Sequence, residues 1–297
     1  EEGLSVVKPE TVKNGGDFEI SEPMLPKERL IVLGGGHIAL PVCEFASKCG
    51  FEVYVADDRP AFANAPRFPW AAGVLCDSFE NSIEQLKITP YDFVVVITRG
   101  HRHDADCLRA ILPGKQPAYL GMIGSKRRVR GLLDMLVEEG YDKENIERIC
   151  TPIGLKIGAV TPEEIAVSIL SEIIAYKRLP EKNTGHSRYV NGSDLDLEMI
   201  EYLAENHEPK AVVTVIQAKG STPRGAGAKM AVDPRGQVTG SIGGGCSEGA
   251  VIRDAVDIIG TGEYKTVFID MTGEVAESDG MVCGGVMYAL IEDGTEM

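Results

Sequence analysis

Positive charge is in short supply in this sequence. Thirty Lys and Arg stand against 45 Asp and Glu in 297 residues, a formal net charge of −15 at pH 7. Nucleic-acid binders carry a basic footprint, so this balance argues against a nucleic-acid partner. It also disfavours docking on anionic membrane surfaces. Long apolar runs are missing too: no uncharged stretch approaches the ~18 residues of a membrane span. No CxxC spacing occurs, and the seven cysteines form an odd, scattered set. A four-thiolate zinc site and a disulfide framework are therefore not expected, and reduced thiols in a cytoplasmic protein are. No signal-peptide pattern opens the sequence, which starts at Glu1 and not at Met. There is no internal repeat and no low-complexity segment.

Glycine is plentiful, 34 of 297 residues. It serves tight turns and close backbone approaches, which suits a protein that cradles phosphates. At roughly 150 residues per domain the length suggests two domains. Residues 1–28 are polar and aperiodic and read as a linker or tail. From Arg29 the pattern turns to βαβ. Leu30–Leu33 is a short apolar run ending in glycines, a helix-compatible stretch follows, and Phe51–Ala56 reads as a second strand. Phe93–Thr98 and Ala118–Ile123 are continuous apolar runs of the kind buried in parallel sheets. Thr161-Pro-Glu-Glu164 is a helix start, with Thr as cap and Pro in the first position. Residues 181–193 lose periodicity and form the expected linker. The prediction is an α/β protein: a Rossmann-like parallel-sheet domain at 29–180 and a second, smaller α/β domain at 194–297.

Gly34-Gly35-Gly36-His37-Ile38-Ala39 fits G-x-G-x-x-G/A after a strand and before a helix, and Asp57 closes the next strand. That context is the dinucleotide fingerprint. It makes Gly34, Gly35, Gly36 and His37 candidates for NAD or another nucleotide. Asp57 is expected to accept from a ribose hydroxyl and to repel a 2′-phosphate. Arg99 and His101 follow the strand ending at Thr98, where ligand crevices form, and read as anion or pterin ligands. Ser125 opens a Lys-Arg-Arg run at a helix start, and cations there call for a compensating anion.

The C-terminal half carries three glycine-rich segments. Gly220–Lys229 contains Arg224 and Lys229 as anion-binding candidates. Ser241–Glu248 contains Gly243, Gly244, Gly245, Cys246 and Glu248. Asp279–Gly285 contains Cys283. Cys246 falls at a predicted helix N-terminus, where a thiol favours its anion. A thiolate there is a nucleophile or a soft metal ligand. Glu248 opposes that shift if its carboxylate points at the sulfur. The remaining cysteines, Cys76 among them, are expected in the core or inert.

At these residues the sequence resembles the xanthine dehydrogenase accessory factor family, XdhC/CoxI. Leu33–Ala39, Ala56–Pro60, Val96–His101, Tyr119–Arg128 and Thr151–Ala166 are similar to that family's Rossmann domain. Gly220–Arg224, Gly243–Glu248 and Gly280–Gly285 are similar to its CoxI domain. The resemblance implies maturation of molybdenum hydroxylases: binding molybdenum cofactor, supporting its sulfuration and inserting it into an apo-hydroxylase client, with a cysteine desulfurase as sulfur donor. For such a cargo Cys246, at its helix start, is the candidate to contact molybdenum or to carry sulfane sulfur, and Cys283, flanked by Gly280, Gly284 and Gly285, is the second candidate thiol. The usual order places the CoxI domain first and here it is second, so a homodimer that completes the site is expected. Two other readings stand beside this one: a nicotinamide-dependent oxidoreductase, which leaves the cysteine loops unexplained, and a nucleotide-sensing module.

Overall fold

The computed structural model describes residues 5–7, 19–22, 26–179, 194–271 and 284–295. Two compact units divide the chain, one drawn from 25–190 and the other from 1–24 with 191–297.

The first unit is a parallel sheet of five strands: β3 (Arg29–Leu33), β4 (Glu52–Ala56), β5 (Gly73–Leu75), β6 (Phe93–Val96) and β7 (Tyr119–Met122), in the order β5-β4-β3-β6-β7. Its strands read as unbroken apolar runs because both faces are covered. Ile31, Leu33, Val94 and Val96 enter the core on one face, and Leu30, Val32, Phe93 and Val95 the core on the other. The second face is closed by α1 (Ala39–Lys48) and α6 (Pro162–Arg178), through Val42, Cys43 and Ala46 against Ala166, Ile169 and Ile173. The first is closed by α2 (Phe79–Leu86), α3 (His101–Ile111), α4 (Lys126–Glu138) and the short α5 (Lys143–Glu147). Each fully buried aliphatic side chain contributes about 1.5–3 kcal/mol. The start of α6 is the expected capping box: Thr161 accepts from the Glu164 amide, and Glu164 accepts from the Thr161 amide.

The second unit is an antiparallel sheet of five strands: β8 (Ala211–Lys219), β9 (Lys229–Val232), β10 (Val238–Gly240), β11 (Tyr264–Asp270) and β12 (Val286–Asp293), in the order β10-β9-β8-β12-β11. Helix α8 (Gly245–Ile258) packs Val251 and Ala255 onto it, and α7 (Leu197–Glu205) precedes it. The predicted tail differs from expectation. Within it β1 (Ser5–Val7) pairs antiparallel with β2 (Glu19–Ser21). Ile20 packs against Ile216 and Leu290, and Glu22 pairs with Lys229 at 2.9 Å. These residues belong to the second unit, tied to it by apolar and ionic contacts too few to show as periodicity. Among the described residues no helix is long and apolar enough to cross a membrane.

Candidate functional sites

In the first unit, register sets the site. Leu33 pairs with Ala56 on one side and with Val96 on the other. The three loops that follow therefore leave one edge of the sheet at the same level, where the strand order reverses around β3. That reversal opens a crevice for ligands beyond the carboxyl ends of the strands.

Two of the three loop glycines are dictated by the chain itself. A Cβ on Gly34, whose φ is +116°, would stand 2.4 Å from the Ile97 carbonyl oxygen, and one on Gly35 would stand 2.2 Å from that of Phe62. Gly36 differs: nothing lies within 4 Å of its missing Cβ. The helix that follows, α1, has no side-chain cap and no acid in its first turn. His37 is exposed beside the loop.

Asp57 does not face outward as the sequence pattern suggests. It is 1% exposed. One carboxylate oxygen accepts from the Gly35 amide at 2.8 Å and from Arg59 Nη2 at 2.9 Å. The other accepts from the Arg59 amide at 3.1 Å and Arg59 Nε at 2.8 Å. Four donors fill the acceptor sites of a carboxylate, so none is left for a ribose hydroxyl. Burial pushes the Asp57 pKa up, but the Arg59 side chain and the two amides outweigh it and hold it below its ordinary value.

Arginines surround this loop. Arg59 lies 3.7 Å from the Phe62 ring centroid, and Arg67 reaches the same ring while donating to the Gly35 carbonyl at 3.3 Å. Arg67 Nη2 is buried without a hydrogen-bond partner. Arg99, from the β6 side, clasps Asp58, from the β4 side, with both Nη atoms. That pairing lowers the Asp58 pKa to about 2. His101 is not in a loop, as expected, but opens α3. Its Nδ1 lies 4.0 Å from Asp104, a buried carboxyl whose pKa burial raises and which accepts from Thr98 Oγ1 at 2.6 Å. Ser125 is exposed at the cap of α4 and makes no side-chain cap bond.

In the second unit, register again gathers residues that lie far apart in the sequence. Val286 at the start of β12 pairs with Lys219 at the end of β8 and with Asp270 at the end of β11. Gly240 at the end of β10 pairs with Met230 at the start of β9. The flanks of all three glycine-rich segments thus meet one edge of the antiparallel sheet. Gly220 and Gly285 touch across it: a Cβ on Gly285 would stand 2.7 Å from the Ser221 carbonyl oxygen. Gly243, Gly244 and Gly245 have φ of +134°, +74° and +60°, a run of conformations that favour glycine. Cys246 follows in the first turn of α8.

The charged candidates there are engaged internally. Arg224 Nε donates to Asp194 at 2.7 Å, and the same carboxylate takes the Gly225 amide at 2.8 Å. Lys229 pairs with Glu22 and donates to Thr214 Oγ1 at 3.2 Å. Glu248 accepts from Ser241 Oγ at 2.7 Å and from the Gly244 amide at 2.8 Å, so it caps its own loop. The expected free anion nest is thus partly filled by the protein's own carboxylate. Cys283 and the Cys246 side chain lie outside the described residues. Among the described residues no group of three or more His, Cys, Asp or Glu is placed to hold a metal. Cys76 and Cys49 are exposed, whereas Cys43 and Cys107 are buried, which corrects the placement of Cys76 in the core.

Comparison with known proteins separates the same two units. Residues 30–173 match the XdhC Rossmann domain, and residues 203–270 match the XdhC and CoxI family. The chain carries an XdhC Rossmann domain followed by an XdhC and CoxI family domain. Two curated relatives of this XdhC-type chain match over 153 residues: the uncharacterized protein YqeB of Escherichia coli K12 at 37% identity, and a probable xanthine dehydrogenase subunit of Bacillus subtilis 168 at 35%. Those matches occupy 51% and 52% of this chain but 28% and 44% of the relatives, so the shared stretch is less than half of either. The crystal structure of a xanthine dehydrogenase from Bacillus halodurans is 34% identical, the match covering 53% of this chain and 46% of that one, with a TM-score of 0.44.

Proposed function

We propose that this protein is an accessory factor for a xanthine dehydrogenase-type molybdenum hydroxylase, taking molybdenum cofactor as cargo, supporting its sulfuration and inserting it into the apo-enzyme. The observation that carries the reading is the union of both XdhC-type domains in one chain. The Bacillus subtilis relative, named for xanthine dehydrogenase, supports it.

The chemistry of the second unit fits such a cargo in part. A dithiolene-bound metal with a phosphate suits backbone amides and a soft sulfur donor. The shared sheet edge supplies glycine-rich backbone, and Cys246 follows three left-handed glycines at a helix start, a position that favours thiolate. Arg224 and Lys229 hold internal partners, so the backbone and the thiols, not these cations, are the proposed anchors. A cysteine desulfurase as sulfur donor, a homodimer and a cytoplasmic location belong to the same proposal.

The test is purification of the full chain from cells making molybdenum cofactor, with molybdenum content and activation of an apo-hydroxylase as readouts. Retained molybdenum and activation are expected, and both should fall strongly in Cys246→Ser while the melting temperature holds. Wild-type values in Cys246→Ser would reject that thiol as the anchor. Failure of the unmodified protein to retain cofactor or activate a client would reject the reading itself.

A further inference from the structure

The crevice of the first unit has no part in the handling of molybdenum proposed above, yet its charge is specific. Three guanidinium groups reach it from separate positions: Arg59 after β4, Arg67 further along the same connection, and Arg99 after β6. Two carboxylates answer them. Asp57 is enclosed and fully bonded. Asp58 is held by Arg99 and lies 3.9 Å from Arg59 Nε. Three positive groups against two negative ones leave an excess of positive charge, in a chain of net charge −15.

Several donors remain. Arg59 uses Nε and Nη2 on Asp57, and its Nη1 has no hydrogen-bond partner among the described residues. Its side chain is 32% exposed and rests on the Phe62 ring. Arg67 Nη2 is buried and unpartnered. In the loop before α1, Gly36 leaves open space, and α1 itself starts with neither a side-chain cap nor an acid in its first turn.

In a fold of this kind the residues at the end of the second strand meet the adenosine ribose. An acidic side chain there accepts from a free 2′-hydroxyl, and a nearby Arg accommodates a 2′-phosphate. Here the acid is turned inward and saturated, and the Arg beside it is the group left facing out. We infer that this crevice binds a nucleotide bearing a phosphate on its adenosine ribose, of the NADP class, with Arg59 as the residue that sets the preference. A phosphate there brings an acceptor-only group of about two negative charges at pH 7. It would meet the open fork of Arg59, and a guanidinium binds phosphate through paired N–H donors. This reverses the preference for a free 2′-hydroxyl that Asp57 suggests in the sequence.

The experiment is calorimetric titration of the full-length chain with NADP+, NAD+, adenosine 2′,5′-bisphosphate, 5′-AMP and inorganic pyrophosphate. NADP+ should bind at least about tenfold tighter than NAD+, and the bisphosphate tighter than 5′-AMP by a similar factor, which is about 1.4 kcal/mol. Arg59→Gln should erase the difference between NADP+ and NAD+ without weakening NAD+. Because Arg59 also pairs with Asp57, its variant is first checked for a cooperative melt; if it does not fold, the wild-type comparison decides alone. Equal affinities, a preference for NAD+, pyrophosphate binding as tightly as NADP+, or no binding by either dinucleotide would overturn the inference. None of these readouts involves molybdenum, so this result stands or falls apart from the accessory role.

Discussion

The Gly35 amide donates to the Asp57 carboxylate at 2.8 Å, tying the glycine loop after β3 to the end of β4. One buried bond thus joins the two elements that the fingerprint assigns to phosphate and ribose, and it turns the acid from a ligand contact into a brace.

Asp57→Asn should therefore destabilise the first unit more than it alters nucleotide choice. The amide places a donor where the Gly35 or Arg59 donors need an acceptor. Leaving a buried donor unsatisfied costs about 1–3 kcal/mol. Urea denaturation of the two proteins side by side measures it, and an unchanged midpoint would contradict the brace.

The three loop glycines should separate by substitution. Gly34→Ala and Gly35→Ala press a methyl against backbone carbonyls at 2.4 and 2.2 Å, an overpacking of about 1–3 kcal/mol or more. Gly36→Ala meets nothing within 4 Å and should leave the melting temperature nearly unchanged. If it affects anything, it should be ligand affinity. Thermal melts of the three variants check the order.

The cysteines should divide by accessibility. Burial, with Glu44 nearby, pushes the Cys43 thiol up to about 11, and burial pushes Cys150 up to about 12 and Cys107 well above its ordinary value. Iodoacetamide at pH 8 should modify the exposed Cys49 and Cys76 and spare Cys43, Cys107 and Cys150. Peptide mass spectrometry of the native protein reads this directly. Rapid modification of Cys43 or Cys107 would show that the core around α1 or α3 opens readily.

The Asp58–Arg99 clasp should show in the acid limb of stability. The Asp58 pKa is lowered from 3.8 to about 2, chiefly by the Arg99 hydrogen bonds. Its contribution is therefore complete above pH 3.8 and is lost as the pH falls through about 2. Asp58→Asn should flatten the decline over that window: the two proteins should differ most near neutrality, by a small amount because an exposed pair is worth little, and converge as the pH falls to about 2. Melting temperatures of both proteins from about pH 2 to about pH 5 test it.

Much of this architecture is present in local sequence. Apolar runs such as Phe93–Val96 declare strands buried on both faces, and Thr161-Pro-Glu-Glu164 declares a helix start through bonds between near neighbours. The G-x-G-x-x-A loop followed by an acid declares a Rossmann turn. All of these are short-range patterns, set by pleat, helix pitch and capping. Other features depend on partners distant in the chain. Asp57 turns inward because Arg59 and the Gly35 amide together offset its burial. Gly34 is fixed by Ile97, which follows a different strand, and no pattern around Gly34 contains that contact. The ribbon within residues 1–28 is held by Ile216, Leu290 and Lys229 from the far end of the chain. Glu248 takes the Gly244 amide and the Ser241 hydroxyl of its own loop, a choice between ligand and cap that the sequence leaves equal. The sequence thus determined the buried strands, the capped helix start and the glycine turns named above, because those follow from the chemistry of adjacent residues. Tertiary structure alone decided which charges are engaged inside the protein and which stay open, because that depends on which donors the register brings within about 3 Å.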